Sequence, residues 1–229
     1  MTSVSQPVPV AGPVFLRQLS RLGGAGADVG QGPPLAATLA QWIDWHRAVA
    51  LAGALDGRLP GAADAPSPDP AVEETCAQRH AQLREAILAD PVLAVPSPEP
   101  ANADADFAPF RARQLAHQRA MLAATGRLRG RLRDMLGAVP RLARLGQMDA
   151  ALEQALAPRE HALLGQLPDL LADHFERMRL QAEAAGTATD AWLDRFRLDL
   201  RDLLLAELDL RFSPVQALLA ALRTADPTP

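Results

Sequence analysis

The sequence predicts an all-α fold: a helical bundle with long antiparallel C-terminal helices and a smaller N-terminal helical part. Three observations carry that expectation. Ala and Leu dominate an apolar fraction of 48%, and aromatics make up only 4%, a composition that favours helix over strand. No stretch shows the strict apolar/polar alternation of a half-buried strand. From Met121 onward one narrow face recurs in threes and fours, through Thr125, Leu128, Leu132, Met135 and Val139, the spacing of a helix in a bundle or coiled coil.

Residues 1–12 form a Pro- and Val-bearing tail. Pro13 can start a short helix, Val14 to Leu22, with Val14, Phe15, Leu19 and Leu22 on its apolar side. A Gly-rich loop, Gly23 to Gly32, leads to a helix of about Leu35 to Leu55. Leu35, Leu39, Trp42, Ile43, Val49 and Leu51 make it apolar around much of its circumference, as suits a helix buried inside a bundle. Asp69 reads as the N-cap of a third helix, with Pro70 at its first position and Glu73 and Glu74 complementing the positive helix start. Its stripe is Val72, Cys76, Leu83 and Ile87, and it stops at Pro91. These elements make an N-terminal helical region, 13–90. The Pro-rich stretch 91–105, with Pro96, Pro98 and Pro100, reads as a linker without regular structure.

A C-terminal bundle is expected over 106–224. Its long first helix runs from about Asp106 to Gly137, with Pro109 tolerated in the first turn. Pro140 breaks it, and Arg141 to Leu156 follows with Leu142, Leu145, Leu152 and Leu156 in phase. Pro158 opens a further segment, kinked or restarted at Pro168 and lined by Leu163, Leu167, Leu171, Phe175 and Met178. Thr189 or Asp190 caps a helix of about Ala191 to Arg211 that turns Trp192, Phe196, Leu200, Leu203, Leu204 and Leu208 inward. Ser213, Pro214 and Gln216 read as a capping-box start to a last short helix ending near Arg223. Residues 225–229 are a tail.

Charge is distributed unevenly. All the basic residues are Arg, and the net charge of −4 gives no global case for nucleic acid. The Arg-rich helix 111–144 carries nine Arg against one acid, Asp134, whereas residues 145–229 carry fourteen acids and eight Arg. Arg127, Arg129, Arg131 and Arg133 flank the apolar seam and form the candidate interaction surface. The favoured expectation is that these Arg pair with acids on neighbouring helices of the same chain, among Asp149, Glu153, Asp169, Asp173, Glu176, Asp194, Asp199 and Asp202. Replacing all four by Gln would then change stability only modestly. The alternative is that the helix holds nucleic acid, an anionic membrane surface or an acidic protein. Nucleic acid is the weakest of these, because no aromatics interleave the Arg for base stacking.

No catalytic signature emerges, so the chain is expected not to be an enzyme and to need no cofactor and no metal. The five His (His46, His80, His117, His161 and His174) do not stand at metal-ligand spacing and are expected in solvated or capping roles. Cys76, the single Cys, excludes an intrachain disulfide and reads as a small buried hydrophobe. No signal peptide or membrane span is legible, so the expected location is cytoplasmic.

Two stretches resemble a known family. Leu39-Ala-Gln-Trp-Ile-Asp-Trp-His-Arg-Ala-Val-Ala-Leu and Ala206-Glu-Leu-Asp-Leu-Arg-Phe-Ser-Pro-Val are similar to segments of an uncharacterised bacterial family, domain of unknown function 3348. The Pro168-Asp-Leu-Leu…Phe175 stretch between them extends the likeness over nearly the whole chain. His46 and Arg47 depart from the family's small polar residue and acid at those positions. The resemblance implies a bacterial, mostly helical protein with no established activity. It also implies a cytoplasmic accessory role beside a membrane-associated envelope complex. The function expected is therefore that of a non-enzymatic interaction or scaffold protein whose partner is a protein, with homo-oligomerisation open.

Overall fold

The computed structural model describes residues 14–22, 70–95, 106–186 and 191–224. Its helices are α1 (Val14–Leu22), α2 (Pro70–Leu88), α3 (Ala108–Gly137), α4 (Pro140–Leu164), α5 (Leu167–Ala184) and α6 (Ala191–Thr224), with a 3-10 turn at Pro91–Leu93. Among the described residues there is no strand, and the fold is an all-α bundle. The helix expected over 35–55, the Asp69 cap and the Thr189 or Asp190 cap lie outside the described residues.

The two longest helices, α3 and α6, lie side by side in the same sense. Phe110 meets Phe196 with ring centroids 5.2 Å apart, and two turns further on Gln118 reaches Glu207. α4 and α5 run the other way along this pair. Arg129 on α3 meets Asp149 on α4, Arg211 on α6 meets Glu160 on α4, and Asp199 on α6 meets His174 on α5. The joint between α4 and α5 makes no reversal, because Gly165 and Gln166 both keep helical backbone angles. α2 lies antiparallel to the C-terminal half of α6, tied at Arg223 to Glu73 and at His80 to Asp209.

The seam on α3 is buried as its spacing predicts. Met121 and Leu132 are fully covered, Thr125 and Leu128 nearly so, and Met135 partly; Val139 is also buried, but it lies beyond the end of α3 with extended backbone. Burying a side chain such as Leu132 contributes about 1.5–3 kcal/mol. On α6 Phe196, Leu200, Leu203, Leu204 and Leu208 are buried, and the face continues through Phe212, Val215, Leu218 and Leu222. One apolar core runs from Phe15 through Val72, Cys76, Ile87 and Leu93 to Leu222.

Four local expectations are corrected. Pro158 does not open a helix, and Pro214 does not follow a cap; both lie inside continuous helices. Each removes one helix hydrogen bond, but the apolar face stays in phase on both sides of Pro214, and tertiary packing decides. Ser213 donates back to the Asp209 carbonyl at 3.1 Å instead of capping. The first residues of the 91–105 stretch are ordered: Asp90 caps the turn by accepting from the Val92 N–H at 3.0 Å, and Leu93 enters the core. Val14, expected on the apolar side of α1, is exposed, while Phe15 and Leu22 are buried.

α5 ends at Gly186, whose φ of 62° lies in the left-handed region where a Cβ is costly. Its N–H donates to the Glu183 carbonyl at 3.1 Å, one of the two bonds of a Schellman stop.

Candidate functional site

The four Arg of the candidate surface divide into two pairs. A helix advances by about 100° per residue, so Arg129 and Arg133 share one face while Arg127 and Arg131 lie nearly opposite. Arg129 and Arg133 turn toward α4, where Asp149 and Glu153 stand at the same four-residue spacing. Arg129 grips Asp149 with two N–H groups, at 2.7 and 3.3 Å, and donates to Glu153 at 2.9 Å. Arg133 donates from Nε to Asp149 at 2.6 Å and from Nη2 to Glu153. The two Arg side chains are 15% and 20% exposed and Asp149 is 12% exposed, so this grid is largely shielded from solvent. Burial disfavours the Arg133 cation, but hydrogen bonds to Glu153 and Asp149 outweigh it and raise its pKa above the ordinary value. The expectation of only modest stability change rested on exposed pairs and does not fit these two residues. Arg127 and Arg131 are exposed.

Gly146 lets α3 and α4 approach here. A Cβ at this position would stand 3.4 Å from the Arg133 carbonyl oxygen and 3.6 Å from the Leu136 Cβ. Beyond the grid the two helices part, and the space between α3, α4, α5, α6 and α1 opens into a groove of about 820 Å³. Leu122 of α3 forms one wall, and Leu152, Leu156 and Leu163 of α4 form the other. Leu167 and Leu170 of α5, Leu210 and Pro214 of α6, and Phe15 and Leu19 of α1 complete it.

Leu152 and Leu163, expected to line packed helix faces, instead face this opening. Leu122 and Leu163 are 57% and 58% exposed. The only residues of α4 that are buried are Gly146 and Ala155; Leu142 and Leu164 pack partly buried against the core, while Leu152 and Leu163 stay outside it. Periodicity shows that such a stripe exists, but not whether another helix of the chain covers it.

The buried polar groups at the groove are paired. Glu207, fully buried, accepts from Gln118 Nε2 at 3.1 and 3.2 Å and from Arg211 Nε at 2.8 Å. Arg211 donates onward to Glu160 at 2.8 Å. Thr125 donates to the Met121 carbonyl at 2.9 Å. This arrangement offers an apolar bed with carboxylates at its edge. Among the described residues that line it, no nucleophile is paired with a base.

Three His correct the solvated or capping expectation, since each bridges to an Asp of a different element. His80 meets Asp209 at 3.0 Å, His117 meets Asp90 at 2.8 Å and His174 meets Asp199 at 3.1 Å. His161 is exposed, and His46 lies outside the described residues. Cys76 is buried, and that burial pushes its thiol pKa up. Among the described residues no cluster of His, Cys and acids could hold a metal, and no helix is long and apolar enough to cross a membrane.

Fold and site together define an all-α helical bundle with an open apolar groove along one side. The chain belongs to the family described as Protein of unknown function (DUF3348), whose family model matches residues 1–224. No curated protein and no solved structure matches it.

Proposed function

We propose that this protein is a non-enzymatic interaction protein that holds another protein in the groove, acting in the bacterial cytoplasm as an accessory of a membrane-associated envelope complex. The observation that carries this reading is the pair of leucines on opposite walls, Leu122 and Leu163, each more than half exposed above one continuous apolar bed. Contiguous exposed apolar surface of this kind costs free energy in water and marks interaction sites. A second reading, binding of an anionic surface through the Arg-rich segment 111–144, which spans α3 and the start of α4, is favoured by the exposure of Arg127 and Arg131 on α3. Co-purification from the native host separates the two. Proteins retained by the wild type should be lost from a Leu122→Glu, Leu163→Glu variant and kept by an Arg127→Gln, Arg131→Gln variant. The reverse pattern would replace the groove with the Arg face.

A further inference from the structure

We infer that the groove accepts a single amphipathic helix of about four turns whose apolar face is flanked by basic residues. This inference rests on the groove being a protein-binding site and adds the chemistry of the partner. Length comes first. The groove follows α4 from Asp149 to Leu164, which at about 1.5 Å per residue is roughly 22 Å, the length of about 15 helical residues. Its α4 wall is a row of leucines, Leu152, Leu156 and Leu163, at helical spacing, the relief into which the ridges of another helix pack.

Charge comes second. The guanidiniums at the groove are covered: Arg129 is 15% exposed and Arg211 9%. Of the carboxylates that line the groove, Glu160 is 51% and Glu153 33% exposed at its rim, while Asp149 and Glu207 are covered. An incoming chain therefore meets negative charge at the rim and apolar surface beneath it. That pattern favours Arg or Lys beside the apolar face and opposes an acidic helix or an anionic lipid headgroup.

The test uses the full chain and three labelled peptides of about 15 residues. They share one leucine face and carry Arg, Glu or Gln on their flanks; a scrambled Arg peptide without an apolar face is the control. Fluorescence anisotropy should show the Arg peptide binding at least about tenfold more tightly than the Glu peptide, and weakening as salt rises. Glu160→Gln should narrow that difference. Leu122→Glu with Leu163→Glu should abolish binding while leaving the circular dichroism unchanged, because both side chains are already exposed.

Equal, groove-dependent binding of all three leucine-faced peptides would overturn the basic-partner inference and leave the groove as a protein site. Binding that ignores the leucine variants, or matches that of the scrambled peptide, would overturn both. A dimer dispersed by the same variants would assign the groove to a second copy. No peptide binding, together with a shift in tryptophan emission in the leucine variants, would assign it to residues 23–69, which carry Trp42 and Trp45. Either result would overturn the proposal.

Discussion

Replacing Asp149 by Asn should destabilise the protein far more than removing two of its exposed charges. Asp149 accepts three hydrogen bonds, two from Arg129 and one from Arg133. Asn turns one acceptor oxygen into a donor that faces a guanidinium and leaves two Arg sharing Glu153. Exposed ion pairs are worth about 0–1 kcal/mol, while breaking a buried pair costs about 3–5 kcal/mol. Exposures of 12–20% across Asp149, Arg129 and Arg133 place this grid between those limits, at about 2 kcal/mol. In a chain of this length that corresponds to a fall in Tm of about 4–8 °C. Arg127→Gln with Arg131→Gln should stay within about 0.5 kcal/mol of the wild type. Urea denaturation followed by circular dichroism measures both, and the Asp149→Asn loss should persist at high salt because shielded pairs are weakly screened. A loss below about 0.5 kcal/mol, or one equal to that of the Arg127 and Arg131 variant, would refute the view that the grid clamps α3 to α4.

Three further outcomes follow from packing and burial. Gly146→Leu should cost about 1–3 kcal/mol by forcing α3 and α4 apart, whereas Gly146→Ala, whose methyl just fits, should gain up to about 1 kcal/mol in helix propensity; thermal melts distinguish them. Gln114 is fully buried, and neither its Oε1 nor its Nε2 finds a hydrogen-bond partner among the described residues. Gln114→Met should therefore raise stability by about 1 kcal/mol or more, and a loss in denaturant titration would contradict that. Because burial raises the Cys76 thiol pKa, the stability it contributes is fully present below the ordinary thiol range and is lost as pH rises through the folded value. Cys76→Ser should flatten that alkaline decline, and iodoacetamide should label the native wild type far more slowly than the urea-unfolded chain.

The all-α architecture was legible because it rests on local signals. The three-and-four spacing from Met121 to Val139 and the inward stripe of the last helix both survive in the core. What misled were signals that depend on neighbours. Pro158 and Pro214 are strong local breakers, yet packing carries both helices through them. The His–Asp bridges join residues as far apart in the chain as His80 and Asp209, which no spacing rule reveals. At the candidate surface the decisive clue was present but unread: Arg129 and Arg133 share a face at four-residue spacing, and Asp149 and Glu153 repeat that spacing across a short reversal. The groove was the least legible feature. Leu152 and Leu163 look like any core stripe until the structure shows them exposed, with no helix among the described residues packed over them.

The central claim, that this groove holds a partner protein, is tested most directly by placing a photo-crosslinking amino acid at position 163 and irradiating living host cells. Position 180 is the control, since Leu180 is equally exposed on α5 but lies outside the groove. A discrete adduct with one other protein from position 163, absent from position 180, is the predicted result. No adduct from position 163, or the same adducts from both positions, would contradict the account.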